Sequence, residues 1–545
     1  MGTVWVRCLA FACVCWPIGT ISAADSDREF TTGSSDAIVE YINSRIRQGW
    51  TDNEISASAV ADDAEWVRRV YLDIVGHIPP AEEVEKFIEN DDKAKRLKLI
   101  DELLDSPDYV RNWTNIWTNL TIGRQTPDRV SRLGMRKFFR ESFTKNRPWN
   151  EIVYDLVSAT GHFERNGAVN YLLAQMQMPD EGVQATAKTT RLFMGIQVQC
   201  TQCHNHPFND WQQSQFWEFN SFFRQMKRED HERYDERTGR MVDDYSELVQ
   251  TNLMKPYVTY EKRSGVLEVA YPKFFDETID EAQTDLQMDR RQKLAELMSQ
   301  GDQPWVAKAM VNRMWGQFFG YGFTRPVDDM GPHNPASHPE LLDRLADEFI
   351  KSGYDVKQLI RWIANSEAYN LTSQFNKTND IDNPSAGEIP LFSHMYIKVF
   401  SPEQLYDSLI ISTEAHKSGR TSWDSAEQER QRWMQQFVIA FDTDEADEVT
   451  QFNGTIPQAL MMMNSELIRN AINCQPGSYL HTVLTGPGSA SKKLNTLYQA
   501  TLGRKPTRTE LSKFNIVTRG YTSQLDAFQD VFWALLNSNE FILNH

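Results

Sequence analysis

The spacing of apolar residues predicts a chain built mainly from helices. Two stretches near the start show the pattern most clearly: Ile38, Val39, Ile42 and Ile46, then Val67, Val70, Tyr71 and Ile74. Intervals of three and four residues place these side chains on one face of a helix, where they can pack into a core. Similar patterns cover residues 81–89, 93–104, 131–143, 149–160 and 182–196. Residues 36–224 are therefore predicted to form a helical domain.

The pattern changes between residues 225 and 290, where charged clusters alternate with short β-branched runs. Residues 257–260 and 266–269 are two such runs on either side of Ser264-Gly265, which predicts a β-hairpin. Helical spacing then returns and continues towards the end of the chain. We therefore predict a mainly α protein whose two helical lobes, 36–224 and 291–545, are joined by a small insert, 225–290, containing a β-hairpin.

The first 24 residues have the pattern of an export signal. Arg7 precedes an apolar run, and Ala23 and Ala24 end a small-residue cleavage site. This predicts a signal peptide over residues 1–24, cleavage near Ala23 or Ala24, and a periplasmic or secreted location in the cell envelope. No stretch reaches the roughly 18 to 20 apolar residues of a membrane-spanning helix, so no transmembrane segment is expected.

The net charge of the chain disfavours one class of partner, nucleic acid. The chain has 57 Lys and Arg against 75 Asp and Glu, a net charge of -18, and no dense basic stretch that could follow a phosphate backbone. Nucleic acid is therefore not expected as a partner. A redox partner or a component of the cell envelope fits an acidic exported protein better.

One short motif carries specific chemistry, the string Cys200-Thr-Gln-Cys203-His204. With 6 Cys and 11 His in 545 residues, coincidence explains this C-x-x-C-H spacing poorly. The spacing is typical of covalently attached haem c: Cys200 and Cys203 would form thioether bonds to the porphyrin, and His204 would ligate the iron. Candidates for a sixth iron ligand are Met330, Met461 to Met463 and His394.

The same motif is compatible with three arrangements that contain no haem: a disulfide, a metal site and a reactive dithiol, the last disfavoured because no thioredoxin-like βαβ pattern surrounds the two cysteines. In an exported protein the two cysteines can close as a disulfide, which leaves the protein without a cofactor. They can also hold zinc or iron together with His204 and His206. Because His206 precedes Pro207, we expect an extended backbone there, and His206 fits a supporting or alternative ligand role better than a place beside His204.

A second polar cluster follows Pro326. Asp328 and Asp329 lie close in sequence to His333 and His338, a set that could bind a metal or exchange protons. The structural alternative is that His338 sits in the first turn of a helix capped by Ser337, and that Asp329 is a turn residue.

These stretches resemble a known pair of domains. Residues 63–123, with the run Trp66 to Gly76, and residues 199–208 are similar to the planctomycete cytochrome c-type domain, a domain of unknown function numbered fifteen forty-nine. From Pro304 onward the chain resembles its usual partner, the planctomycete-specific domain numbered fifteen fifty-three. The stretches that carry this second likeness are residues 311–315, 326–329, 337–342, 352–355, 456–460 and 533–538. The resemblance implies a cytochrome-like protein, but its cytochrome label rests on the same C-x-x-C-H string.

Three functional hypotheses follow from the sequence. The first is an exported haem c protein with a redox or electron-transfer role, using Cys200, Cys203 and His204. The second is a non-catalytic envelope-binding or scaffold protein in which the motif is a disulfide or a structural metal site. The third is a metal-dependent hydrolase using Asp328, Asp329 and the nearby histidines, His333 and His338.

Overall fold

Helices account for most of the chain in the computed structural model, which confirms the mainly α prediction. The structure describes residues 36–178, 181–275, 277–280, 285–300, 304–414, 468–469, 472–476 and 478–545. These residues belong to one unit, Thr32–His545. The predicted signal peptide lies outside the described residues. In the part that is described, no helix is both long and apolar enough to span a membrane.

Ten α-helices of the described residues precede the insert, and side-chain caps explain where several of them begin. The side chains of Asp36, Asp62, Ser106 and Ser131 each accept a hydrogen bond from a backbone N–H of the first turn that follows. The helices are α1 (Ala37–Asp52), α2 (Asp63–Ile74), α3 (Ala81–Glu89), α4 (Lys95–Leu104), α5 (Pro107–Ile122), α6 (Arg132–Thr144), α7 (Trp149–Ser158), α8 (Asn170–Ala174), α9 (Val183–Met194) and α10 (Gln213–Asn220).

The insert contains the predicted hairpin and a longer one that the sequence does not predict. Strands β4 (Val258–Glu261) and β5 (Leu267–Ala270) pair antiparallel, as expected. The longer hairpin joins β2 (Met226–Asp235) to β3 (Arg240–Gln250), and β3 also pairs with the short β1 (Gly161–His162). Strand β2 is charged at most positions, so it lacks the apolar alternation by which strands are recognised. A final short pair, β6 (Lys273–Phe274) and β7 (Glu277–Thr278), closes the insert.

Helices resume after the insert. Where this part of the chain is described, the α-helices are α11 (Arg290–Gln300), α12 (Trp305–Phe319), α13 (Pro339–Lys351), α14 (Val356–Ala364), α15 (Pro402–Ser412), α16 (Tyr479–Thr485), α17 (Ala490–Leu502), α18 (Arg508–Thr518), α19 (Gln524–Leu536) and α20 (Asn539–Ile542). Strands β8 (Lys398–Val399) and β9 (Leu543–Asn544) pair antiparallel. The expectation that Ser337 caps α13 is wrong: His338 precedes the helix, Pro339 begins it, and the N-cap makes no side-chain hydrogen bond.

Two hydrophobic cores organise these elements. The first runs from Ile38 to Tyr396 and draws on helices from both sides of the insert. The second lies between Phe400 and Phe541, together with Leu72 and Ile78 from the region of α2. Helix α2 therefore contributes side chains to both cores, and the two predicted lobes pack through a shared interior.

A buried ion pair fixes the end of the chain to α2. The Asp73 carboxylate lies 2.5 Å from the Lys398 ammonium and also accepts hydrogen bonds from Tyr369 (2.7 Å) and Asn544 (2.8 Å). Burial opposes the charged forms of both partners, raising the pKa of Asp73 and lowering that of Lys398. The pair thereby places β8 and β9 against α2.

Candidate functional site

The C-x-x-C-H motif lies in a surface loop between α9 and α10, residues 195–212, which we term the CxxCH loop. Gly195 ends α9 in the left-handed region (φ 67°), which favours glycine. Residues Gln199–Gln202 form a single 3-10 turn. Within that turn Thr201 is buried, and its hydroxyl donates to the carbonyl of Val198 at 2.6 Å. Because Thr201 faces inward, Cys200 and Cys203 are exposed, and both are free thiols.

His204 presents one ring nitrogen for ligation. The side chain is exposed, and Nδ1 lies 2.7 Å from the carbonyl oxygen of Asn205. A carbonyl only accepts, so Nδ1 carries the proton and Nε2 of the neutral ring keeps its lone pair. This tautomer suits a metal ligand that binds through Nε2.

His206 is arranged differently, as a support for the backbone of the loop. Its Nδ1 accepts hydrogen bonds from the backbone N–H groups of Phe208 (3.2 Å) and Asn209 (3.1 Å). The neutral ring therefore carries its proton on Nε2, leaving no lone pair for a metal. Burial is the main cause that lowers the pKa of His206, and the nearby His333 lowers it further. These contacts favour the supporting role over the alternative ligand role.

Helix α10 is hydrogen-bonded to the CxxCH loop. The side chains of Gln213 and Trp217 both donate to the carbonyl of Gln202, each at 3.1 Å. The backbone N–H of Gln213 donates to the side-chain oxygen of Asn205 at 3.0 Å. The two residues that flank Cys203 and His204 are thus fixed by hydrogen bonds, although the motif itself faces solvent.

The second polar cluster meets the CxxCH loop in space, although more than a hundred residues separate them. Asp328 is buried, and its carboxylate accepts from Arg191 Nε at 2.7 Å and from Gln197 Nε2 at 2.9 Å. Arg313 lies 3.8 Å from the same carboxylate. Asp328 thereby links α9, the start of the CxxCH loop and α12. Nothing in the sequence marks Arg191, Gln197 or Arg313 as members of the site.

Asp329 and His333 form a pair next to His206 of the CxxCH loop. Asp329 Oδ2 lies 3.1 Å from His333 Nε2, and the His333 and His206 rings have centroids 5.4 Å apart. The backbone N–H of Met330, between them, donates to the carbonyl of Gly195 at 2.7 Å. Among the described residues, neither Asp329 Oδ1 nor His333 Nδ1 has a hydrogen-bond partner, and both atoms are buried.

The structure does not bring His338 to the two aspartates. Its ring packs against Phe323 and Phe392, and burial lowers its pKa to about 4. His394, a candidate iron ligand, is also buried and has both ring nitrogens close to backbone carbonyls. Residues 461–463 lie outside the described part of the chain. Within that part, no group of three or more His, Cys, Asp or Glu side chains is arranged to hold a metal ion.

A cavity of about 190 Å³ lies beside Met330 and Gly331, and its wall includes Trp305, Leu342 and Lys308. Pockets for small molecules commonly measure about 300–1,000 Å³, so this cavity is small for a haem.

Comparison with protein families finds one match for each of the two regions that contribute residues to this site. A family model described as PSCyt2, protein of unknown function (DUF1549), matches residues 41–228. A second, described as PSD1, protein of unknown function (DUF1553), matches residues 290–517. The chain is a PSCyt2–PSD1 protein. The PSCyt2 domain carries Cys200 and Cys203, and the PSD1 domain carries Asp328 and Asp329, so the site combines residues of both domains. No curated protein and no solved structure matches the chain.

Proposed function

We propose that this PSCyt2–PSD1 protein is an exported haem c protein with a redox or electron-transfer role. The observation that carries the proposal is the donor set: two exposed free thiols three residues apart, followed by a histidine whose Nε2 lone pair is available. Both thiols are exposed to solvent, as attachment to the vinyl groups of a porphyrin requires. The haem would supply one-electron transfer.

The chain's own residues would prepare this site in three ways. Cys200 and Cys203 would anchor the porphyrin, and His204 would ligate the iron through Nε2. The Asn205 carbonyl orients the imidazole by accepting from Nδ1. Gln213 and Trp217 fix the backbone beside Cys203, so the donors are held before any cofactor arrives.

The predicted export signal supports this proposal, because haem c is attached outside the cytoplasm. The expectation of export is based on the signal-peptide pattern over residues 1–24, and cell fractionation tests the expected cell-envelope location. The metal-dependent hydrolase alternative has less support. Asp328 is held by Arg191 and Gln197, Asp329 pairs with His333 at 3.1 Å, and within the described residues no group of three or more His, Cys, Asp or Glu side chains is arranged to hold a metal ion.

The test is the visible spectrum of the full chain made in a host that attaches haem c. We expect a Soret band that is lost in Cys203→Ser and kept in Cys474→Ser, which removes a described cysteine outside the motif. A colourless, folded wild-type protein whose mass is lower by the two thiol hydrogens would contradict the proposal. That result would support the scaffold alternative, with Cys200 and Cys203 as a disulfide.

A further inference from the structure

The backbone carbonyl of Gln202, inside the C-x-x-C-H motif, accepts two side-chain hydrogen bonds. The donors are Gln213 Nε2 and Trp217 Nε1 of α10, each 3.1 Å from the oxygen. A carbonyl oxygen has two lone pairs, so these bonds use its full accepting capacity. The carbonyl shares a planar peptide unit with the N–H of Cys203. Fixing the direction of the carbonyl therefore also fixes the peptide plane that leads into Cys203.

Gln213 uses the second hydrogen of the same amide to reach the insert. Its Nε2 also donates to the backbone carbonyl of Glu261 in β4, at 3.0 Å, and Gln213 is 5% exposed. An amide nitrogen carries two hydrogens, so one binds the motif and the other binds the hairpin. Because the side chain is buried, loss of either acceptor would leave a donor unsatisfied. Gln213 thus bridges Gln202 and β4.

Trp217 makes a second connection to the insert through ring stacking. Its indole lies nearly parallel to the ring of Tyr260 in β4, with centroids 5.9 Å apart and planes inclined by 14°. Tyr260 is buried, and its hydroxyl donates to the carboxylate of Glu268 in β5 at 2.9 Å. Both strands of the hairpin therefore hold the tyrosine ring. The ring in turn limits the movement of the indole that donates to Gln202.

The two faces of the β4–β5 hairpin differ in their surroundings. Val258 and Tyr260 of β4 are buried, whereas Thr259 and Glu261 are exposed. Thr259 lies opposite Val269 of β5, and Val269 is 51% exposed, so it belongs to the exposed face. A substitution at Val269 therefore changes the hairpin without changing the face that carries Tyr260.

We propose that the β4–β5 hairpin is a positioning element of the CxxCH loop, and that Gln213 and Trp217 are the positioning residues through which it acts. The hairpin holds the amide and the indole, and these two groups hold the Gln202 carbonyl next to Cys203. The insert thereby fixes how the motif is presented. A benefit for haem attachment rests on the proposed haem function, whereas the effect on the loop exists in the haem-free chain and is tested there.

The test is hydrogen exchange of residues 199–206 in the haem-free full chain, measured by peptide mass spectrometry. Tyr260→Leu removes the ring that stacks on Trp217. We expect it to speed exchange in this segment by about fivefold, the factor that a lost aromatic pair gives in a local opening equilibrium. Tyr260→Phe keeps the ring and should restore most of the protection. Val269→Ala is the matched control and should leave exchange in the segment unchanged.

Helix α5, residues 107–122, serves as the reference for general loss of stability. Exchange there should change less than exchange in residues 199–206 when Tyr260 is replaced by leucine. Unchanged exchange of residues 199–206 in folded Tyr260→Leu, or an equal rise in both segments, would overturn the proposal.

A second variant covers the case in which Tyr260→Leu does not fold. Gln213→Met keeps the length of the side chain and removes both amide donors. We expect exchange in residues 199–206 to rise by at least about fivefold, the factor that one net hydrogen bond provides. A folded Gln213→Met protein with wild-type exchange in this segment would contradict the bridge.

The consequence for haem attachment is measured separately, in a host with active haem c maturation. Tyr260→Leu should lower the fraction of chains that carry haem, and Val269→Ala should not. A wild-type chain without haem would contradict the proposed haem function, while hydrogen exchange would still decide the role of the hairpin. Equal haem content in the wild type and Tyr260→Leu would contradict a role of the hairpin in presenting the motif to haem.

Discussion

Replacing Asp328 by alanine should destabilise the protein through the contacts that join its two domains. The side chain of Asp328 is 7% exposed, and the closest contacts of its carboxylate are Arg191 and Gln197. Its removal leaves the buried guanidinium of Arg313, whose pKa is already lowered by burial, without its nearby carboxylate. Removing one partner of a buried ion pair costs about 3–5 kcal/mol. Because Arg191 is 33% exposed, we expect the lower end of that range, about 3 kcal/mol.

The assay is urea denaturation of the haem-free full chain at neutral pH, with hydrogen exchange of residues 195–206 as a local measure. Asp328→Ala should lower the free energy of unfolding and speed exchange in this segment. Asp328→Asn should lower the free energy of unfolding by less, since its side-chain oxygen can still accept a hydrogen bond from Gln197. Asp101→Ala serves as the control, because Asp101 forms a solvent-accessible ion pair with Arg361, and such a pair contributes about 0–1 kcal/mol. A loss in Asp328→Ala no larger than that of Asp101→Ala would refute the role assigned to Asp328.

Three further predictions concern stability. Lys398→Met should cost about 3–5 kcal/mol in urea denaturation because it leaves the Asp73 carboxylate buried without its cation, and adding Asp73→Asn should recover part of that loss. Partial burial opposes ionisation of Glu510, but hydrogen bonds, chiefly from Arg504, outweigh it and lower its pKa to about 2. The stability this gives is complete above the ordinary Glu pKa and is lost as pH falls towards 2, so Glu510→Gln should destabilise at pH 7 and have little effect near pH 2; equal effects at both would contradict this. Burial lowers the pKa of His338 from 6.5 to about 4, so the unfolded chain binds the extra proton between these values and stability should rise with pH there. His338→Gln should flatten that part of the stability profile, and an unchanged slope would count against the assignment.

Most of the fold can be predicted from the sequence because its helices have a clear apolar face. Helix α2 shows this: Val67, Val70 and Ile74 recur at helical intervals and are all buried. The β4–β5 hairpin is predictable for a similar reason, since its two runs flank Ser264-Gly265. The β2–β3 hairpin is not, because β2 is charged at most positions and has no apolar alternation that marks it as a strand.

The candidate site can be predicted only in part. The spacing of Cys200, Cys203 and His204 indicates its chemistry, but residues that are close to each other in sequence can point to different parts of the structure. His333 lies beside His206, whereas His338, five residues later, packs into the core. The contact between the CxxCH loop and residues 328–333 depends on how α9 packs against α12. The spacing of residues within each domain carries no information about this packing.

The most direct test of the central claim is the intact mass of the mature protein purified from a host with active haem c maturation. We predict a mass higher than that of the processed chain by one haem, with the addition retained under denaturing conditions and mapped to the peptide containing Cys200 and Cys203. An unmodified mass from cells that attach haem to a control cytochrome would contradict the proposal that the CxxCH loop is a haem c site.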